Sequence, residues 1–330
     1  MLRQIAFWLK NARAGSLPVS TMPAFVAFSV AFGSAGFDFF LGVLAIIGVA
    51  FCHLSINLLD DYFDYKKKSA HVRDELVHRG VRARVGKCEY IVSGEVSLNK
   101  LKKVILGLTI IGMLCGGVVF AFRGIVILYI VLTTIILGYS YSGGILKLSY
   151  RGLGNIVMWI MSGPLLMIGV YYSATGMISS TILFLSVPVG LLAANNTFVH
   201  DIMDCEPDKE VGRVTLATII SNKYILILSL AGILAIVYGV IIAGAILQSI
   251  SLFYLFVLLT LPMAISLMIL MVAFIQTPNR EYLPRFWMGP MIKRQAFLDS
   301  GIGWFLIRWF LARNLMMFFC IILVVVSFII

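Results

Sequence analysis

Charge is scarce in this chain: only 12% of its 330 residues are Asp, Glu, Lys or Arg. Soluble domains carry about 25%, so the composition excludes a molecule solvated over most of its surface. Metal-binding and cross-linking residues are scarce as well. The five cysteines, Cys52, Cys88, Cys115, Cys205 and Cys320, are scattered and contain no Cys-x-x-Cys pair, which excludes a zinc ribbon and leaves no disulfide framework. The four histidines, His53, His71, His78 and His200, show no ligand spacing. No apolar core of signal-peptide length stands near the start, where residues 5–9 are the longest apolar stretch. This first segment reads instead as an interfacial helix, with Phe7, Trp8 and Leu9 below the headgroups and Arg3, Lys10 and Arg13 among them.

What the chain has in abundance is long apolar sequence. Hydrophobic residues make up 61% of it, and the mean hydropathy is +1.00. Runs free of Asp, Glu, Lys and Arg cover 17–37, 41–59, 104–122, 125–142, 153–172, 182–199, 224–247, 250–275 and 315–330. Each approaches the ~20 residues with which a helix crosses ~30 Å of hydrocarbon. They are continuously apolar rather than alternating over about 10 residues, which excludes barrel strands. The fold class is therefore all-α: a polytopic membrane protein of about nine transmembrane helices around a central cavity, expected to form one membrane-embedded domain over residues 1–330.

The net charge of +11 invites a nucleic-acid reading, but the placement of the basic residues argues against one. With nine spans and the N-terminus inside, every Lys and Arg except Arg123 falls on the same side. The bias predicts a cytoplasmic N-terminus, an external C-terminus and residence in the cell membrane. Segments 64–103 and 200–222 are expected as cytoplasmic caps, and 1–16 as the interfacial helix. In 277–313, Trp287, Trp304, Phe305, Trp309 and Phe310 are interspersed with Arg285, Lys293, Arg294, Arg308 and Arg313, which predicts an amphipathic interfacial segment.

The acidic residues carry the chemistry. Of the 15 carboxylates, Asp60, Asp61 and Asp64 fall in one short window, and Asp201, Asp204, Glu206, Asp208 and Glu210 in another. Both windows lie at the predicted cytoplasmic ends of spans, the second and the sixth. Each is preceded by amides still within the apolar run, Asn57 before the first and Asn195 and Asn196 before the second. Polar groups at that depth are costly and usually functional. On a continuing helix, Asp60 and Asp64 share a face, as do Asp204 and Asp208, with Asp201 close to the same side. Like charges at that spacing repel unless a cation lies between them, and oxygen ligands with few histidines favour Mg²⁺, which leaves positions open for phosphate oxygens. Two facing magnesium sites with a lipid diphosphate between them is the resulting expectation.

These residues resemble the UbiA superfamily of intramembrane aromatic prenyltransferases. The second window is similar to the family's D-x-x-D-x-x-x-D followed by G-[KR]-x-T-L, here Asp201, Asp204, Asp208, Gly212, Arg213, Thr215 and Leu216. The first resembles N-D-x-x-D, with Asp60 in place of the usual Asn, then Asp61 and Asp64; Lys68 stands where some members have a further acid. Residues 91–97, IVSGEVS, look like the family's turn into the third span. Residues 141–155 and 162–172 are similar to the branch that prenylates dihydroxynaphthoate in menaquinone biosynthesis.

The resemblance implies Mg²⁺-dependent transfer of a prenyl group from a polyprenyl diphosphate to a small aromatic acceptor. The catalytic and metal-ligating residues would be Asp60, Asp64, Asp204 and Asp208. Asn57, Asp61, Asn196, Asp201, Lys147 and Arg213 would contact substrate, and Tyr139 and Tyr141 would offer π faces to an allylic cation. The acceptor of the similar branch is dihydroxynaphthoate; hydroxybenzoate, homogentisate, a porphyrin or a glycerol phosphate remain open. An ion-coupled transporter is the reading from another class, although such proteins place polar groups near the bilayer midplane and the acids here lie at span ends. The D-G-x-x-A-R core of CDP-alcohol phosphotransferases is absent.

Overall fold

A computed structural model describes residues 2–66, 88–210, 212–277, 280–291 and 294–330. Lys68, His71, His78 and most of the first expected cap segment lie outside these residues. The described residues form helices and no strand.

In chain order the main helices are α1 (Leu2–Asn11), α2 (Pro18–Ala31), α3 (Phe39–Lys66), α4 (Leu98–Arg123), α5 (Ile125–Ser142), α6 (Gly154–Thr175), α7 (Ser180–Met203), α8 (Lys223–Ile246), α9 (Leu252–Gln276) and α10 (Gly303–Ile329). From α3 onward, these are the 8 helices among the described residues long and apolar enough to cross a membrane. The remaining predicted run, 17–37, gives the shorter α2, about 21 Å long at 1.5 Å per residue. It ends because the chain turns at Gly33 (φ 81°) and Gly36 (φ 74°), a backbone region open to glycine at no steric cost.

Short polar caps let consecutive helices follow closely. Ser97 Oγ accepts from Lys100 N to start α4, Ser179 Oγ from Ile182 N to start α7, and Asn222 Oδ1 from Tyr224 N and Ile225 N to start α8. The α3–α4 contact is tight, since a Cβ built at Gly112 would lie 2.7 Å from Cys52 Sγ. A second tight crossing joins α6 to α7, where a Cβ at Gly163 would lie 2.6 Å from Gly190 Cα. Pro164 sits at this crossing inside a wider turn over Met161–Leu165, which accommodates the backbone donor that proline lacks. The main core joins α2 and α6 to α10. A smaller core packs Phe7 and Trp8 of α1 against Tyr90, Ile91, Leu58 and Tyr62.

The two ends of the bundle are distinct. At one end, Phe32 beyond α2 meets Phe328 of α10 with ring centroids 5.3 Å apart. There Arg123 also donates to the carbonyls of Ser173, Ala174 and Gly36. At the other end lie both carboxylate windows. Helices α2 and α10 thus run the same way, as an odd number of passes requires.

The structure corrects the expectation for 277–313. Trp304, Phe305, Arg308, Trp309, Phe310 and Arg313 belong to the first turns of α10 rather than to a surface segment. Arg308 is fully buried; it donates to the Leu270 carbonyl at 2.9 Å and to the Trp304 carbonyl, with the rings of Phe274 and Tyr282 against its guanidinium. Backbone oxygens and aromatic faces take the place of headgroups, so the arginine enters the bundle.

Candidate active site

The last turns of α3 present Asp60, Asp61 and Asp64 to three different elements. Arg13, expected among headgroups, turns inward instead. It adopts a left-handed conformation (φ 57°, ψ 45°) between α1 and α2, which aims its guanidinium at the Asn57 carbonyl (3.0 Å), Asp60 Oδ2 (3.4 Å) and Asp61 Oδ1 (2.5 Å). Burial opposes the Arg13 charge, but the carboxylates of Asp61 and Asp60 more than offset it and hold the guanidinium protonated above its ordinary range. Asp61 also accepts from the Tyr90 hydroxyl at 3.2 Å. Asp60 Oδ1 accepts from Ser142 Oγ at 2.5 Å, and Asp64 Oδ1 from the Tyr150 hydroxyl at 2.6 Å. Burial, then the Asp64 charge, lift the Tyr150 phenol above its ordinary range, so it remains a donor.

The second window spans the end of α7 and a short helix, Cys205–Glu210. Asp204 is the C-cap of α7, but the Asp208 amide donates to the Asp204 carbonyl at 2.8 Å, so the chain keeps a helical path and both acids stay on one side. Asp201, Asp204 and Asp208 are all buried. His200 Nε2 lies 3.7 Å from Asp204 Oδ2, and its ring meets Phe305 of α10 edge-on. The following segment folds back on itself: Arg213 N donates to the Asp208 carbonyl at 2.8 Å, and Thr215 caps the helix Leu216–Ile220 through reciprocal bonds with Thr218.

Arg213 joins the two windows. Its guanidinium lies 5.8 Å from the ring centre of Tyr150, which itself bonds Asp64. Burial opposes the charge, while Asp208, Asp201 and Asp64 together hold it well above its ordinary range. The Arg213 Nε is buried and has no hydrogen-bond partner, leaving a charged donor between two sets of carboxylates. Asn195, with both amide atoms unpartnered, and Asn196, with its Oδ1 unpartnered, lie one to two turns further down α7.

Beneath the first window, α3, α4, α5 and α6 enclose a cavity of about 380 Å³. Arg13, Asn57, Asp60 and Tyr141 stand on its wall with His53 and Thr197, and its deeper part is formed by Val49, Val119, Ile127, Val131, Leu165 and Val170. A polar, charged mouth thus leads into an apolar chamber with room for a hydrocarbon chain.

The other residues singled out in the sequence are placed unevenly. Tyr141 lines the cavity, whereas Tyr139 is 51% exposed and packs edge-on against Phe63 outside it. Lys147 is exposed, in a left-handed conformation (φ 45°), and forms no ion pair with the carboxylates. Asn57 is committed to Ala12 O at 2.9 Å and Ser16 Oγ at 3.2 Å. Reasoning from the sequence did not single out Arg13, Tyr90, Ser142 or Tyr150 as site residues. Arg13 was hidden because membrane topology accounted for every cation alike. Tyr150 lay inside the conspicuous 141–155 run, but nothing in its spacing marked it.

Among the described residues no group of three His, Cys, Asp or Glu side chains is close enough to form a metal cage. Mg²⁺ needs none, since one or two carboxylates commonly hold it together with water and phosphate oxygens. The oxygen-only donors of Asp60, Asp64, Asp204 and Asp208, with the unpartnered Arg213 Nε among them, have the chemistry for such an ion and its phosphate.

Fold and site together define an intramembrane enzyme whose charged mouth opens into an apolar chamber. The chain belongs to the UbiA prenyltransferase family, whose sequence pattern matches residues 20–289. It is 26% identical over 227 residues to the 1,4-dihydroxy-2-naphthoate octaprenyltransferase of Haemophilus influenzae, covering 65% of this chain and 69% of that one. It is 24% identical over 242 residues to the enzyme of the same name from Bacillus subtilis, covering 71% and 73%. Among solved structures, a UbiA homologue from Archaeoglobus fulgidus bound to DMAPP and Mg²⁺ superimposes with a TM-score of 0.60 at 16% identity, over 96% of this chain and 99% of that one. A digeranylgeranylglyceryl phosphate synthase gives 0.61 at 16% identity, over 99% and 100%. These superpositions speak to the fold.

Proposed function

We propose that the protein transfers the prenyl group of a polyprenyl diphosphate to 1,4-dihydroxy-2-naphthoate, with loss of its carboxylate, in menaquinone biosynthesis. The observation that carries this reading is the meeting of two carboxylate windows and two half-buried arginines at the mouth of an apolar cavity. The names of the relatives support the choice of acceptor. Asp60, Asp64, Asp204 and Asp208 would hold Mg²⁺, which when bound neutralises the departing diphosphate. Arg213, between the windows, receives diphosphate oxygens through its unpartnered Nε, and Asp201 and Asp61 hold Arg213 and Arg13 in their charged, oriented state.

The C1–O bond of the allylic diphosphate breaks with both electrons leaving on oxygen. The ring carbon bearing the carboxylate, made electron-rich by the hydroxyls, bonds to C1, and expulsion of CO₂ restores aromaticity. Tyr141, on the wall of the chamber, would offer its ring to the positive charge that develops there. The apolar walls exclude water, which would otherwise trap the cation.

We place the carboxylate end of the bundle at the cytoplasmic face of the cell membrane, with the N-terminus inside and the C-terminus outside. This orientation agrees with the cation bias and with the common direction of α2 and α10. The decisive assay offers purified protein, Mg²⁺ and a polyprenyl diphosphate to dihydroxynaphthoate, hydroxybenzoate and homogentisate in parallel. Prenylated naphthol with equimolar CO₂ is expected, and turnover of another acceptor alone overturns the choice of substrate. EDTA should abolish turnover and excess Mg²⁺ restore it; activity persisting in EDTA overturns the metal assignment.

A further inference from the structure

His53 stands seven residues before Asp60 on α3. With Asn57 it shares the face that lines the cavity, about 10 Å further from the mouth at 1.5 Å per residue. Its Nε2 lies 3.0 Å from Ser16 Oγ. The state of that hydroxyl follows from its other partners. Ser16 Oγ donates its single proton to the Arg13 carbonyl at 2.7 Å and accepts from Asn57 Nδ2 at 3.2 Å. The orientation of the Asn57 amide is fixed because Nδ2 also donates to the Ala12 carbonyl at 2.9 Å. One lone pair on Ser16 Oγ remains, and it can only accept from His53. Nε2 therefore carries the proton, and Nδ1 of the neutral ring is a bare lone pair. Among the described residues no hydrogen bond reaches Nδ1.

Several other polar groups on the wall are already engaged. The hydroxyls of Thr109, Thr134 and Ser173 give their protons to carbonyls of their own helices. Asp60 is engaged by Ser142 and Arg13. An imidazole nitrogen held as an acceptor by a locked tautomer, on an otherwise largely apolar wall, selects a ligand that brings a hydroxyl donor.

We propose that His53 Nδ1 is the docking point for a ring hydroxyl of the aromatic acceptor, and that it sets which ring carbon faces the allylic C1 beneath the diphosphate. This inference rests on the prenyl-transfer reading above and adds to it a residue that contacts the acceptor alone. The chain Arg13–Ser16–His53 then links the two substrates' sites. The guanidinium that orders Asp60 and Asp61 sits on the backbone whose carbonyl fixes the Ser16 proton, and through it the His53 tautomer.

The test uses the full-length protein in lipid nanodiscs with Mg²⁺, a polyprenyl diphosphate and dihydroxynaphthoate. His53→Phe should raise the KM for the acceptor about tenfold, equivalent to ~1.4 kcal/mol, and leave the KM for the prenyl diphosphate unchanged. His53→Asn, whose Oδ1 takes the place of Nδ1 as acceptor, should recover most of the loss. His53→Gln places its amide nitrogen toward Ser16 without that acceptor and should not. An acceptor analogue with both ring hydroxyls methylated should bind wild-type and His53→Phe protein equally, because it has no proton to donate.

An unchanged acceptor KM in His53→Phe overturns the proposal, as does equal weakening of the methylated analogue. If the Phe variant does not accumulate, the Asn and Gln variants decide: equal acceptor KM values in the two overturn it. Failure of wild-type protein to prenylate any aromatic acceptor refutes the functional reading itself and is distinct from all of these outcomes.

Discussion

At the scale of the residue, Arg13 holds the first carboxylate window in shape. Its guanidinium touches Asp60, Asp61 and the backbone of Asn57 at once, so its removal takes one cation away from two carboxylates that stand side by side. The Arg13 side chain is 35% exposed and that of Asp61 5%, so solvent screens part of the loss and it falls toward the low end of the about 2–5 kcal/mol that truncating a fully buried pair costs. Arg13→Ala should therefore lower kcat/KM by about a hundredfold, or ~2.7 kcal/mol, and also lower the thermal midpoint in detergent. Arg13→Lys should recover only part of the activity, since the differently shaped lysine side chain must bring its strongly hydrated ammonium to the point where one guanidinium nitrogen meets all three acceptors. Activity of Arg13→Ala within a few-fold of wild type would show that the inward turn of this residue is incidental. Asp208→Ala, by contrast, should abolish transfer while leaving the protein folded, as judged by turnover and by elution from a sizing column. Asp208 touches the functional reading directly, whereas Arg13 acts through Asp60 and Asp61.

At the scale of the element, the crossing of α6 and α7 positions the second window. Gly163 and Gly190 let the two backbones approach until no side chain fits between them, a packing device suited to a lipid environment, where burial of apolar surface gives helices little reason to associate. The wider turn at Met161–Leu165 places Pro164 at this contact. Three turns further along α7 come Asp201 and Asp204. A bulky residue at the crossing must therefore swing the carboxylate end of α7 away from Tyr150 and Asp64. Gly190→Leu should reduce prenyl transfer at least tenfold and weaken binding of the diphosphate substrate more than that of the acceptor. Equal changes in the two KM values would argue against this geometry. Gly117, by contrast, has open space where a Cβ would go, so Gly117→Ala serves as a control expected to retain activity.

At the scale of the whole molecule, both windows, Arg13, Tyr150 and Arg213 lie at one end of the bundle, and Arg123 closes the other by donating to three carbonyls. The bundle is polar at the carboxylate end and largely apolar along the cavity beneath it. A reporter fused after Ile330 should behave as external and one inserted at the α5–α6 turn as cytoplasmic, when read by an enzyme active on only one side of the membrane. Two signals from the same side would overturn the orientation. Residues 303–330 form one long pass whose first turns carry Arg308 inside the protein, so the C-terminal segment belongs to the bundle and braces it. The contact of Phe305 with His200 brings it against the second window.

Hydropathy determined the helical membrane class, because apolar runs of spanning length admit few other structures in lipid. Spacing in the sequence likewise exposed the aspartate windows, since polar groups near a bilayer interior stand out against their neighbours. Asp60 with Asp64, and Asp204 with Asp208, were legible as pairs because a helix fixes which residues share a face over one turn. What one turn cannot reveal is a partner from elsewhere in the chain. Arg13 meets Asp61 across 48 positions and Tyr150 meets Asp64 across 86, and such meetings depend on how helices cross. The same holds for Lys147 and Tyr139: Lys147, near the site in sequence, stays exposed, and Tyr139 lies outside the chamber that Tyr141 lines. The start of the last span was misread because Arg308 and Arg313 count as charges in any hydropathy window. Only the packed structure supplies the carbonyls and rings that let Arg308 be buried. Local pattern thus set the class, the spans and the carboxylates, while long-range packing decided which cations, hydroxyls and rings face them.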